Sequence, residues 1–313
     1  MICTCTMNPS LDYYMEFDRP VAAGVYTRSS SEYYEAGGKG INVSIILNNL
    51  EIPTRATGFV GGFTKEYFIS LLKKYSYIQP NFVYIDGHTR INVKAKDPKR
   101  ETNLNANGPK INPADMEKLM SKTKRLDEGD YFVLAGYCQE YLEEDVQIML
   151  ERLMNDHVRV VLDTHERILR KVIGAHPFLV KTTAEELEDL YGKSMGKDAV
   201  IEIMKEMYAA GAENVIVTMH ECVSALFACS QGIYECRIVQ SGRPAVSMVG
   251  AGDAIVGGFL MTSQRAEEPV EAFRFGCSCG SATMYIRGFA GREQIESISA
   301  SLGVKCLEPS LSR

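Results

Sequence analysis

Short, apolar, β-rich runs alternate with stretches of helical period along nearly the whole chain, and this alternation restricts the fold more than any other feature. The runs that read as strands are ICTCTM (2–7), RATGFV (55–60), FVYI (82–85), YFVLA (131–135), VRVVLD (158–163), FLVK (178–181), VIVTM (215–219), SALFAC (224–229) and IYECRIV (233–239). Helices are expected to begin near Gly38, Thr64, Pro113, Glu140, Ala184, Lys197, Ala251, Pro269 and Arg292. Pro113 suits a first helical position with Asn112 as its cap. Strands separated by helices pair in parallel, so the expected class is α/β, a mostly parallel sheet with helices on both faces. No internal repeat or linker interrupts the pattern, and residues 1–313 read as one domain with ample length for a buried core.

Two stretches break the alternation. Residues 13–35 and 88–106 are polar, aromatic and strand-like, and the second reads as a hairpin that turns at Asp97-Pro98. They are too polar for a core of their own. The expectation is a small sheet that projects from the body over a cleft or against a partner subunit.

The net charge of −6 argues against a general nucleic-acid binder, while a few local Lys or Arg suffice for a phosphorylated small molecule. Nine cysteines show no metal spacing; Cys3 and Cys5 share one strand face and read as small core residues, which fits reduced cytosolic thiols. The N-terminus carries no basic region, and no apolar run approaches the ~18 residues of a membrane span. The chain reads as cytoplasmic.

Four short motifs carry the chemistry. In AGGKGINVS (36–44), Gly37 and Gly38 lead into a helix, with Lys39 and Asn42 placed to meet phosphate or hydroxyl groups; alone, it is equally a glycine turn with a solvated lysine. In VGAGDAIVGGF (249–259), the amides of Gly250, Ala251, Gly252 and Asp253 open a helix and would form an anion hole beside the Asp253 carboxylate; alone, it reads as ordinary capping. TMNPSLD (6–12) turns at Asn8-Pro9 and places Asp12 just past a strand end, where open α/β sheets bind ligands. GHTRINVK (87–94) sets Arg90 at the root of the hairpin.

Together, in this order and spacing, the motifs resemble the PfkB/ribokinase family of sugar kinases, and within it the phosphosugar branch. ATGFVGG (56–62), TNLN with the following GP (102–109), and VLDTHERILRKVI with PFLVK (161–181) extend the resemblance over almost the whole chain. It implies a ribokinase-like three-layer α/β/α fold with a projecting β lid that often forms a dimer contact. It implies ATP-dependent phosphorylation of a sugar-phosphate hydroxyl, with Mg²⁺ accompanying ATP. Fructose 1-phosphate is the expected substrate and tagatose 6-phosphate the rival. By the same resemblance Asp253 is the base, and the 250–253 amides stabilise the transferred group. Asp12 and Asn42 hold sugar hydroxyls beside Gly37 and Gly38. Lys39, Arg90 and Arg28 bind the phosphate already on the sugar. Lys181, Thr218, His220 and Val223 flank the nucleotide, and Glu186 serves Mg²⁺ through water.

Three departures stand out. Gly136-Tyr137-Cys138-Gln139 replaces the family's GSLP, Thr183 replaces the Asn of Asn-x-x-Glu, and His220 and Val223 replace two glycines of the nucleotide loop. They raise a second hypothesis, a family member that binds sugar phosphate as a sensor without efficient transfer. The retained Asp253 argues against it.

Overall fold

The computed structural model describes residues 1–238, 244–265 and 268–311. Its strands are β1 (Ile2–Thr6), β2 (Ser10–Glu16), β3 (Ser31–Gly37), β4 (Thr54–Gly61), β5 (Ile78–Pro80), β6 (Val83–Ile85), β7 (Arg90–Lys96), β8 (Glu101–Leu104), β9 (Tyr131–Ala135), β10 (Arg159–Asp163), β11 (Leu179–Thr183), β12 (Val215–Thr218), β13 (Ser224–Cys229), β14 (Gly232–Arg237) and β15 (Val304–Pro309). Its α-helices are α1 (Lys39–Asn49), α2 (Gly62–Leu72), α3 (Pro113–Thr123), α4 (Glu143–Asn155), α5 (Glu166–Val172), α6 (Ala184–Tyr191), α7 (Lys197–Ala210), α8 (Ala251–Gln264), α9 (Pro269–Met284) and α10 (Arg292–Ser299).

The large sheet runs β5-β4-β1-β9-β10-β11-β12 in parallel, and β13, β14 and β15 extend one edge antiparallel. Strands buried on both faces must be apolar at consecutive positions rather than alternate ones. YFVLA of β9 obeys this: Phe132 and Leu134 join the core shared with α3 to α7, while Tyr131 and Val133 join the core shared with α1, α8 and α9. Cys3 and Cys5 pack in the first of these cores as small apolar residues. This is the expected ribokinase-like α/β/α arrangement.

The two irregular stretches form a second sheet in the order β3-β2-β7-β8. Its strands begin closer to the body than the 13–35 and 88–106 boundaries suggest, because β2 starts at Ser10 and β3 continues to Gly37. Asp12 therefore lies within a strand of the small sheet, not just past the end of β1. Since β2 pairs in parallel with β7 and antiparallel with β3, Arg90, Ser10 and Gly37 form one row at its root. Farther out come Asn92, Asp12 and Glu35, then Lys94, Tyr14 and Tyr33, then Lys96, Glu16 and Ser31.

Three other expectations shift. The helix expected at Glu140 opens as a 3-10 turn, Glu140–Leu142, before α4. β5, β15 and α5 have no counterpart among the expected elements. The strand expected over 233–239 ends at Arg237, and Val239 lies outside the described residues.

Candidate active site

The site gathers where α8 and α1 begin, above the C-terminal ends of β10 and β11. Gly250 caps α8 with a left-handed φ of 81°, which turns the chain so that the first helical amides face the cleft. The Ala251 amide is taken by the Met248 carbonyl at 3.3 Å, so it leaves the expected anion hole. The amides of Gly250, Gly252 and Asp253 have no hydrogen-bond acceptor among the described residues. A Cβ on Gly252 would come within 3.0 Å of Lys181 Nζ, so the glycine leaves that ammonium room to lie against the helix start.

Asp253 is buried and accepts a 2.7 Å hydrogen bond from Asn42 Nδ2. Burial, and next the Asp163 carboxylate, push its carboxyl up to about 6; Lys39, Lys181 and the Asn42 amide pull the other way. A carboxylate so placed titrates close to neutral pH, where a general base works best.

Asp163, at the end of β10, is fully buried. One of its oxygens, Oδ1, receives both Lys39 Nζ (2.9 Å) and Lys181 Nζ (3.4 Å). Its Oδ2 is buried with no partner. Burial alone would raise the Asp163 carboxyl, but Lys181 and Lys39 outweigh it and hold it below the ordinary range. Burial likewise disfavours charge on Lys39, yet Asp163, Glu186 and Asp253 keep its ammonium firmly protonated. Two ammonium groups on one carboxylate, beside free helix amides, form a locus for a polyanion.

Sequence reasoning missed Asp163. The available signal was an acid closing the apolar run VRVVLD at a parallel-strand terminus, but its partner Lys39 lies 124 positions away. Asn92 was missed as well. It donates to Asp12 Oδ1 at 2.9 Å, and Ser10 donates to the same oxygen at 2.7 Å, so the Asp12 carboxylate is fixed toward the cavity between small sheet and body. That cavity, about 130 Å³, is lined by Asp12, Glu35, Gly37, Asn42 and Lys94 among others. Gly38 caps α1.

The remaining expected residues divide. Arg90 donates to the main-chain carbonyls of Asn8 (3.2 Å) and Ala106 (3.1 Å), which orient its guanidinium without neutralising it. Arg28 is exposed in the 17–30 connection and lines neither this cavity nor the one described next. Lys39 stands among Asp163, Glu186 and Asp253 rather than free for a sugar phosphate. Glu186 is held on both oxygens: Oε1 faces Lys39 at 3.2 Å, while Oε2 accepts from the Thr182 hydroxyl and the Thr183 amide. The Glu186 amide donates in turn to Thr183 Oγ1, so the residue at the Asn position completes a capping box for α6. Among the described residues no group of three or more His, Cys, Asp or Glu is spaced to hold a metal ion.

Tyr137 meets His165 edge-on at 4.7 Å and lines a separate cavity of about 390 Å³ with Thr182 and Glu186. Thr218 is buried at the end of β12. His220 Nε2 is 2.9 Å from Glu188 of α6, and this contact, with those of Met195 and Ser194, lowers the Glu188 carboxyl to about 2. Val223 is exposed just after the 3-10 turn His220–Cys222.

A buried carboxylate at a helix N-terminus, with grouped lysines, does not by itself name a family. The family model for the pfkB family carbohydrate kinases matches residues 6–290. The chain belongs to the pfkB family. It is 36% identical over 300 residues to the 1-phosphofructokinase of Bacillus subtilis, covering 95% of this chain and 97% of that one. The D-tagatose-1-phosphate kinase of Bacillus licheniformis is 26% identical over 97% of this chain and 99% of its own. The crystal structure of a phosphofructokinase from Staphylococcus aureus, described as putative, superposes with a TM-score of 0.83 at 30% identity, over 99% of this chain and 100% of that one. As a pfkB carbohydrate kinase, the chain is a phosphotransferase with an alcohol acceptor. No helix among the described residues is long and apolar enough to cross a membrane.

Proposed function

We propose that the protein transfers the γ-phosphoryl group of ATP to the carbon-6 hydroxyl of fructose 1-phosphate, giving fructose 1,6-bisphosphate and ADP. The observation that carries this reading is Asp253, buried at the start of α8, bonded to Asn42 and flanked by Lys39 and Lys181. The 1-phosphofructokinase relative supports the substrate.

The geometry supports the following roles. Asp253 accepts the hydroxyl proton as that oxygen bonds to phosphorus and the bond to ADP breaks. The amides of Gly250, Gly252 and Asp253, with Lys39 and Lys181, stabilise the charge on the transferred group. This assigns Lys39 to the moving phosphoryl group instead of the phosphate already on the sugar. Arg90 anchors that phosphate, and Asp12, fixed by Ser10 and Asn92, reads sugar hydroxyls. Mg²⁺ with ATP fits Asp163 and Glu186, because the free Asp163 Oδ2 and the half-exposed Glu186 offer hard oxygens to an ion that keeps several waters. Bound there, it would neutralise charge on the nucleotide phosphates.

A coupled ADP-release assay over fructose 1-phosphate, tagatose 1-phosphate, tagatose 6-phosphate and fructose 6-phosphate tests the reading, with fructose 1-phosphate expected to give the highest kcat/KM. No turnover with any of them sinks it, and calorimetric sugar-phosphate binding in that case would favour the sensor. Arg90→Ala should raise KM for the sugar phosphate by roughly 10- to 100-fold with little change in kcat, because an anchor contact acts alike in ground and transition states. An unchanged KM removes Arg90 from the anchor role.

We also propose a homodimer through the small sheet. Its outer face carries the stacked Tyr13–Tyr34 pair (centroids 4.5 Å apart), with Ile91 and Leu104 exposed nearby. Light scattering on the eluting protein should give twice the chain mass, and Ile91→Glu with Leu104→Glu should halve it. A monomeric wild type rules the dimer out.

A further inference from the structure

The loop between α9 and α10 meets three parts of the site at once. Arg287 pairs with Glu16, at the outer end of β2. The same guanidinium lies 5.3 Å from the ring centroid of Tyr33 on β3, and Tyr33 stacks flat on Tyr14 at 4.7 Å. Two residues on, the Phe289 ring presses against Gly250, so closely that a Cβ there would fall 2.6 Å from it. The carbonyls of Phe289 and Ala290 accept from Asn49 at the end of α1 (3.0 and 3.3 Å). Arg287, Gly288 and Phe289 line the cavity that also contains Asp12 and Asn42. One short loop therefore touches the small sheet, the cap of the catalytic helix and the helix that carries Lys39 and Asn42.

We infer that Arg287 is a positioning residue that joins the seating of the small sheet over the sugar to the geometry of the anion hole. This rests on the kinase reading above. Arg287 touches neither reacting atoms nor Asp253; it acts through Glu16 and Tyr33 on one side and through Phe289 and Gly250 on the other. Its side chain is 64% exposed, so the ion pair adds little to global stability and its effect belongs to the closed arrangement of the site. A small sheet that seats poorly admits water, and water competes with the sugar hydroxyl for the phosphoryl group.

The variants are Arg287→Ala, Glu16→Ala and the exchanged pair Arg287→Glu with Glu16→Arg. Arg287→Ala should raise KM for fructose 1-phosphate about 10-fold. It should also raise, by about the same factor, the ratio of sugar-independent ATP hydrolysis to sugar phosphorylation, with the melting temperature within about 2 °C of wild type. Amide exchange in 10–16 and 31–37 should quicken, a readout that needs no turnover. Glu16→Ala separates positioning from direct contact. If Arg287 positions the sheet, removal of Glu16 reproduces the Arg287→Ala defects, and the exchanged pair restores at least part of both. If Arg287 only binds substrate phosphate, removal of Glu16 frees the guanidinium, KM stays or falls, and the inference is overturned. Unchanged KM, hydrolysis ratio and exchange in Arg287→Ala overturn it as well. A wild type without sugar-phosphate turnover marks failure of the kinase reading instead, and the exchange data then judge the Arg287 contact alone.

Discussion

Asp253→Asn is expected to lower kcat by about 10³- to 10⁴-fold while leaving the sugar-phosphate dissociation constant within about threefold. The amide keeps the size of the carboxyl and can still accept from Asn42 Nδ2, so the cavity retains its shape. It cannot take the proton. The wild-type kcat/KM should fall on the acid side with a midpoint near 6, where the raised Asp253 carboxyl becomes protonated and stops working as a base. The same shift predicts a gain in stability for the variant. The folded carboxyl titrates above its ordinary value of 3.8, so folding favours the protonated form. That contribution is fully present below the ordinary value and is lost as pH rises through about 6. At neutral pH the ionised carboxylate therefore opposes folding by something on the order of 3 kcal/mol, and the Asn variant should melt roughly 5 °C higher. Near-normal turnover overturns the base assignment, and a lower melting temperature overturns the electrostatic account of the site.

Asp163→Asn should be the most disruptive change outside the base. It removes the carboxylate that Lys39 and Lys181 both contact through Oδ1, and leaves Lys181 buried beside a neutral amide. Breaking a buried ion pair costs about 3–5 kcal/mol, which in a chain of this size lowers the melting temperature by roughly 5–8 °C. With the ammonium groups no longer gathered, kcat should fall about 10²- to 10³-fold. A third readout separates this from loss of fold. The Asp163 charge is the second cause of the raised Asp253 carboxyl, so the acid limb of the pH profile should move below 6 in the variant. A limb that stays put contradicts the coupling. Thermal denaturation of the wild type gives the matching control. The Asp163 carboxyl is depressed in the fold, so its stabilisation is present above the ordinary carboxylate value and is lost only as pH falls through its lower folded value.

Much of this fold was legible because a doubly covered parallel sheet leaves a plain mark, consecutive apolar residues in short runs. β9 and β13 fall at the expected residues for that reason. The elements that escaped lack the mark. β15, VKCLEP, is an antiparallel edge strand with a proline and several exposed positions. β5 has three residues, and α5 spans only seven, too few for a helical period to show. The candidate site was legible where one motif holds neighbouring parts of it, as with Gly250 to Asp253, though not the loss of the Ala251 amide to Met248. It was obscure where function arises from distant partners, as with Asp163. Thr183 shows a departure that local chemistry explains: a Thr three residues before Glu forms a capping box, so the helix start survives the loss of Asn. Lys39 shows the opposite. Its motif announced an anion contact but not Asp163 and Glu186, the distant carboxylates that hold its ammonium.

The rows of the small sheet make it a lever with its fulcrum at the substrate. From Ser10 to Glu16 the strand extends roughly 20 Å, and Asp12 stands only about 7 Å from the root row. A tilt of roughly 10° about that row would carry the outer end about 3.5 Å but Asp12 only about 1.2 Å. Arg90 lies in the root row itself and would scarcely move. On the proposed roles of Arg90 and Asp12, recognition of the sugar phosphate falls where the sheet swings least, and the contact with Arg287 where it swings most. On those roles, a sheet hinged at its root would open widely to exchange ligands while its grip on the anchored end of the sugar stayed nearly constant.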